Sequence, residues 1–324
     1  MNRRNALKSL AAIGAAAWAG AAHAADAPLR AVRITLPSSG SAGSVWQPLV
    51  DKLGLAQEYG LNLEWVSADP GKMQVQLSTG AIDIGVFGAV GLSALIARGS
   101  DILLFGPALN NHGRWLVKDD SPYQSPRDLL GKTIATTAET SETYQQAALA
   151  AHLSGITLKK DIKVIHGSPT ANLALFERGD VDAVITLEPT ASRLVARGAR
   201  QIARVADIWK EATGSTQDPL LVGLSASKSW LDNNRDTAAK VVALFKTING
   251  HIRKDPALLT SVATEIGFKD SEKAAIDLLP SRLTDSYATT WDSSTFAIID
   301  KQIEVAAELG IIAAKPPGKI YVEV

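Results

Sequence analysis

The sequence predicts an α/β protein of two similar lobes that face each other across a cleft and are joined by two connections. Three observations predict it: strand-like and helix-like segments alternate, a long internal repeat is present, and a late strand-like run returns the chain to its first half. The repeat is the most informative. Residues 77–102 read LSTGAIDIGVFGAVGLSALIARGSDI, and residues 175–202 read LFERGDVDAVITLEPTASRLVARGARQI. At a constant shift of 99 positions they align without a gap: Gly80 with Gly179, Ile82 with Val181, Asp83 with Asp182, Val86 with Ile185, and Ser93 with Ser192. Leu95-Ile96-Ala97-Arg98-Gly99 then matches Leu194-Val195-Ala196-Arg197-Gly198. A fainter echo joins the strand-like run at 31–37, with its SSGSAGS loop, to the run at 132–137, with its ETSET loop.

Taken in order, residues 30–37 read as a strand and 45–59 as a helix closed by Gly60. Alternating Leu61, Leu63 and Trp65 predict a strand over 61–67, and Pro70 sits in the first turn of a helix within 69–80. Strands follow at 82–87 and 102–105, separated by a helix that Gly99 stops. A strand at 115–118 enters the second lobe, where strands at 133–137, 162–166, 181–187 and 202–205 alternate with helices at 141–153, 171–178 and 190–197. Residues 214–219 are polar and turn-rich, and 220–226 form the return strand. The chain from 228 to 310 is mostly helical, with Val241, Leu244, Phe245 and Ile248 on one face. The first lobe thus comprises 25–114 plus 220–324 and the second 115–219, with a hinge of two connections near 114–118 and 217–222.

Residues 1–24 stand apart. Arg3, Arg4 and Lys8 precede the soft apolar run 9–22, and Ala22-His23-Ala24 places small residues where a signal peptidase reads. The segment reads as an export signal cleaved after Ala24. Its start, NRRNALK, also resembles a twin-arginine signal, with Ala6 where that pattern prefers Phe. The 324 residues hold 33 basic and 33 acidic side chains, so removing those three cations leaves the mature chain at −3. No basic field points to nucleic acid. The absence of Cys rules out disulfides, a cysteine nucleophile and a lipid-accepting cysteine. These features predict a free periplasmic protein.

Little in the sequence suggests catalysis. The His residues, at 23, 112, 152, 166 and 251, show no metal-ligand spacing, and no HExxH, GxSxG or Walker loop occurs. Neither catalytic nor metal-ligating residues are expected, and no cofactor. The candidates are binding residues at loops following strands, where open α/β sheets gather their ligands. In the first lobe these are Ser39, Ser41 and Ser44 before a helix, Trp46 as an aromatic wall or a core residue, and Phe87, Gly88 and Ala89 at the repeat tip. Backbone amides at a helix N-terminus favour an anion there, and glycine lets a ligand approach closely. Asn111 and His112 precede the crossover. In the second lobe Thr137, Thr140 and Ser141 form the equivalent tip, and Glu188 ends the second repeat strand as an acceptor for a ligand N–H or O–H. Glu139 and Glu142 beside an anion site are in tension with it: they face solvent, or one reads a neutral or cationic donor. Asp83 and Asp182 read as turn residues at the far end of their strands.

The segments EYGLNLEWV (58–66), GAIDIGVFG (80–88), SPRDLLGKTIA (125–135) and GDVDAVITLEP (179–189) resemble the nitrate/sulfonate/taurine-type substrate-binding proteins of ABC importers. The resemblance covers about 32–309. It implies a type II periplasmic binding fold that closes as a monomer on a small molecule and delivers it to a membrane permease and its ATPase. Helix-terminus physics favours a small organic anion, a sulfonate or carboxylate. The alternatives are a neutral or cationic heterocycle such as a thiamine-type pyrimidine, or an exported sensor without a permease.

Overall fold

A computed structural model describes residues 31–67 and 73–324. The export signal and Pro70 lie outside the described residues. Among the described residues ten strands form two lobes. In the first, β1 (Ala31–Leu36) pairs in parallel with β2 (Asn62–Ser67), and β10 (Leu220–Ser227) lies antiparallel between β3 (Gly85–Phe87) and β4 (Ile102–Asn110). A parallel bridge between Ile34 and Ile84 joins the two groups, with Thr35 N–H donating to the Ile84 carbonyl at 2.9 Å. The resulting order is β2-β1-β3-β10-β4. The second lobe holds β5 (Gly113–Lys118), β6 (Thr133–Thr136), β7 (Lys163–His166), β8 (Ala183–Leu187) and β9 (Ala199–Arg204), in the order β7-β6-β8-β5-β9.

The two orders are one pattern. Each lobe contributes four strands in sequence, and its single antiparallel strand arrives from the other lobe. β4 ends at Asn110 and β5 begins at Gly113, so Asn111 and His112 alone make the first crossing. The second crossing is the 214–219 stretch leading into β10. Asn111 N–H donates to the Pro219 carbonyl at 2.7 Å, which ties the two crossings side by side.

The repeat acids hold this pattern at corresponding places. Asp83 Oδ2 accepts from Arg33 N–H at 2.9 Å, while Arg33 Nη2 reaches Oδ1 at 2.8 Å. Asp182 Oδ2 accepts from Thr133 N–H at 2.9 Å, and Tyr123 donates its hydroxyl to Oδ1 at 3.1 Å. Each Asp therefore anchors the first strand of its lobe. The helix-stopping pair Gly99 and Gly198 also match, at φ 91° and 94°, a left-handed conformation that favours glycine.

Local departures from the sequence expectations have physical reasons. The helix expected over 45–59 is broken: α1 (Trp46–Leu53) ends at Gly54, whose φ of 67° turns the chain before a short helix at Leu55–Glu58. The strand expected over 102–105 runs on through Pro107 to Asn110. Its pairing to β10 shifts register between Gly223, opposite Pro107, and Val222, which accommodates the missing N–H. The C-terminal tail, which carries no motif, lies along the free edge of β4: Val322 N–H donates to the Leu104 carbonyl at 2.9 Å, and Tyr321 stacks on Phe296 at 4.4 Å. An otherwise open sheet edge is covered.

The remaining named helices are α2 (Ala89–Ile96), α3 (Glu142–Leu153), α4 (Pro169–Arg178), α5 (Thr190–Ala196), α6 (Val205–Thr213), α7 (Arg235–Lys254) and α8 (Ser293–Glu308). α8 packs against α2 and α3 at once, so Val90 and Leu92, Ala147 and Leu149, and Ile299 and Val305 share one core. Gln302 Nε2 donates to Gln146 Oε1 and to the Leu220 carbonyl, both at 2.8 Å. The C-terminal helix thus bridges the lobes. Deleting either repeat acid leaves a strand N–H without its partner, so Asp83→Ala and Asp182→Ala are each expected to lower unfolding free energy by about 1–3 kcal/mol in urea titrations.

Candidate functional site between the lobes

Four loops leave the carboxyl ends of β1, β3, β6 and β8, and those after β3 and β6 meet each other across the lobes. The β1 loop meets the C-terminal part of its own lobe: Gly40 N–H and Ser39 Oγ both donate to the Ile266 carbonyl, at 2.8 and 3.3 Å. From the second lobe, Arg193 of α5 reaches the same place. Its Nη2 donates to the Gly267 carbonyl at 3.1 Å, its Nε to Glu272 at 2.8 Å, and its guanidinium lies 3.8 Å over the Phe268 ring.

The β3 and β6 loops meet directly. Gly88 is the N-cap of α2 with φ −85° and ψ 161°, and Ser141 is the N-cap of α3, accepting from Tyr144 N–H at 3.3 Å. Glu142, the first residue of α3, crosses to α2, and its Oε1 accepts from Gly91 N–H at 3.1 Å. A Cβ on Gly88 would stand 2.0 Å from the Glu142 carboxyl carbon, and one on Gly91 2.9 Å from Oε1. The seat therefore exists because positions 88 and 91 are glycine. Burial pushes the Glu142 carboxyl up to about 7, against the smaller opposing effects of Gly91 N–H and Gln146.

The β8 loop carries a buried ion cluster. Glu188 Oε1 faces Arg282 Nη2 at 2.8 Å and Arg114 Nε at 3.3 Å, and Oε2 accepts from Ser192 N–H and Oγ at 2.9 and 2.7 Å. Arg282 also donates to Gln201 at 2.9 Å and belongs to the first lobe's helical part, so this cluster holds the lobes together. Burial lowers Arg114 to about 10, with Glu188 opposing it.

These contacts revise several expectations. Trp46 is 1% exposed, donates to Asn249 Oδ1 at 3.0 Å and packs edge-on against Phe245, so it is a core residue. Ser41 and Ser44 donate to the carbonyls three residues before them at 2.7 and 2.6 Å, and shape the turn into α1. Glu188 answers two arginines rather than presenting a free acceptor. Asn111 and His112 are buried at the hinge. Asn111 Oδ1 accepts from Gly113 N–H at 2.8 Å, while His112 Nδ1 bonds the Asn110 carbonyl at 2.8 Å and burial lowers its pKa to about 4. Thr140 is exposed, and the Thr137 hydroxyl bonds that of Ser141. Gly88 and Ala89 sit at the meeting of the two helix N-termini, with half-buried Phe87 behind them. The two acids part ways: Glu139 turns out to Lys159 at 2.9 Å, and Glu142 turns in. The inward turn of Glu142 and the pairing of Arg282 with Glu188 carried no sequence signal, because both depend on which residue of the other lobe stands opposite.

Residues 36–274 match the family described as ABC transporter, phosphonate, periplasmic substrate-binding protein. The chain belongs to this family. Among curated relatives, the taurine-binding periplasmic protein of Escherichia coli (strain K12) is 27% identical over 172 residues, 52% of each chain. An ATP phosphoribosyltransferase of Nitratidesulfovibrio vulgaris (strain DSM 19637 / Miyazaki F) is 26% identical over 231 residues, 68% of each. Among solved structures, the periplasmic aliphatic sulphonate binding protein SsuA from Escherichia coli superposes with a TM-score of 0.72 at 20% identity, covering 88% of this chain and 89% of that one. The expected kinship with nitrate/sulfonate/taurine-type binding proteins and the two-lobe periplasmic binding fold both hold. Among the described residues no helix is long and apolar enough to cross a membrane.

The raised Glu142 pKa has a consequence for stability. Between about 4.5 and 7 the unfolded chain ionises this carboxyl while the folded one keeps it protonated, so its contribution falls as pH rises through that window. Glu142→Gln is expected to raise unfolding free energy at pH 8 by up to about 3 kcal/mol and to leave it nearly unchanged at pH 4.5, measured by urea denaturation at both pH values.

Proposed function

We propose that this chain is the exported solute-binding component of an ABC importer, which captures a small organic anion, a sulfonate or carboxylate, between its lobes and delivers it to the permease. The observation that carries the anion reading is the Gly91 amide. It already accommodates a carboxylate oxygen at 3.1 Å, at the N-terminus of one helix and opposite the N-terminus of another. First-turn amides have no intrahelical partner, and the helix dipole favours negative charge there. The taurine- and sulphonate-binding relatives support the same ligand class.

In this reading residues 1–24 are removed at export, and the mature chain works as a monomer without a cofactor. Its lobes are 31–112 with 220–324, and 113–219, because β5 already begins at Gly113. The paired crossings at 111–112 and 214–219 act as the hinge. Phosphoribosyl transfer is not proposed, since the matched family is a transport component. A heterocyclic ligand with an N–H donor is the second reading, favoured by the Glu142 carboxyl turned into the site.

A thermal-shift panel on the mature protein, refolded to strip carried-over ligand, separates the two. It contains alkanesulfonates, taurine, nitrate, mono- and dicarboxylates and pyrimidine precursors. A ligand at about 100 times its Kd adds roughly 2.7 kcal/mol, a visible shift. The expected result is a shift with sulfonates or carboxylates. Shifts confined to the heterocycles would overturn the anion reading.

A further inference from the structure

Glu142 and Glu188 both lie in the interlobe region, and they differ in one respect. Glu188 faces two arginines. Among the described residues no basic side chain pairs with Glu142. Its neighbours are the backbone of Gly88 and Gly91 on α2, a helix without a titratable side chain, and Gln146 on its own helix at 3.5 Å. Tyr144 on α3 turns to the His166 ring. Glu139 on the same loop is held by Lys159 and stands 3.5 Å from His166 Nε2. Behind Gln146, α8 presents Gln302, while its Asp300 pairs with Lys319 and its Lys301 with Glu304.

Two glycines leave room for one carboxyl group against two helix N-termini, and the chain fills that room with its own acid. The duplication underlines the choice. Ser41 and Ser141 make the same turn, each donating Oγ to the carbonyl three residues back at 2.7 Å, and the residue that follows is Ala42 in one lobe and Glu142 in the other.

We propose that Glu142 is a tethered stand-in for the ligand's acid head, and that capture of an anion is coupled to uptake of one proton by this carboxyl group. The inference rests on the anion reading above. Two anions packed together in a poorly solvated site do not both stay ionised. A ligand oxyanion that takes the Gly88–Gly91 amides moves the Glu142 carboxyl group off them to the ligand's flank, and the two groups side by side therefore require Glu142 to be neutral. The proton comes from solvent and forms an O–H bond on one Glu142 oxygen, and that O–H donates to a ligand oxygen. Below the midpoint of Glu142 the proton is already in place. Above it, each unit of pH weakens binding about tenfold, because one proton enters with each ligand.

The test uses butane-1-sulfonate, which stays ionised throughout, so any pH dependence belongs to the protein. Its Kd is measured by calorimetry on the mature protein from pH 5.5 to 8.5, at pH 8 in two buffers of different protonation enthalpy. The expected result is a Kd that is flat near pH 5.5 and rises toward tenfold per unit above pH 7, with about one proton taken up per ligand at pH 8. Glu142→Gln is expected to bind with a Kd that does not change over this range. A flat wild-type profile without proton uptake, the same slope in Glu142→Gln, or loss of all binding in Glu142→Gln would each overturn the proposal while leaving the anion reading intact. No binding of butane-1-sulfonate, taurine or carboxylates even at pH 5.5 would instead overturn the anion reading, and this inference with it. The wild-type proton count decides the matter alone should the variant fail to fold.

Discussion

The contact on which the account turns is a single carboxyl group laid against the backbone of two glycines from the opposite lobe. Glu142 bridges α3 and α2 where their N-termini converge, and among the described residues no cation pairs with it. Burial works against the ionised form of this carboxyl group, and the free N–H donors and partial positive charge of the helix N-termini offset only part of that cost. The same backbone features make the place attractive to an outside anion. The contact between the lobes and the proposed capture of an anion would thus draw on one set of amides.

The scaffold around that contact comes from duplication followed by divergence. Both lobes keep the strand order, the Asp that anchors the first strand, the glycine that ends the helix and the serine that caps the turn. They diverge at the tips. Position 88 is glycine in one lobe and its counterpart 187 is leucine. Position 89 is alanine and its counterpart is Glu188, locked to Arg114 and Arg282. A symmetric pair of tips would place like groups opposite each other. The divergence instead sets one acid of the second lobe against bare backbone of the first, and another acid of the second lobe against an arginine of the first.

What the sequence made legible was whatever is encoded within a short window or repeated at a fixed distance. The strand–helix alternation, the two lobes, the Ser141 cap and the place of Asp83 and Asp182 at the far end of their strands all fall in that class, whereas the strand that each Asp anchors does not. The glycine tip at 88 was legible as a place for close approach. What stayed hidden was orientation across distant segments. Trp46 follows a polar loop yet turns into the core because Asn249, about 200 residues later, offers it an acceptor. Glu188 and Glu142 look alike as acids near strand ends, and only the opposite surface decides that one meets arginines and the other meets glycines. The C-terminal tail showed no pattern because its role is to cover an edge, which backbone pairing achieves with many sequences.

The most direct measurement is a crystal structure of the mature protein with an alkanesulfonate bound. The account predicts sulfonate oxygens on the amides of Gly88–Gly91, between the N-termini of α2 and α3, with a Glu142 oxygen within hydrogen-bond distance of the ligand. A sulfonate bound elsewhere, with the Glu142–Gly91 contact undisturbed, would contradict it.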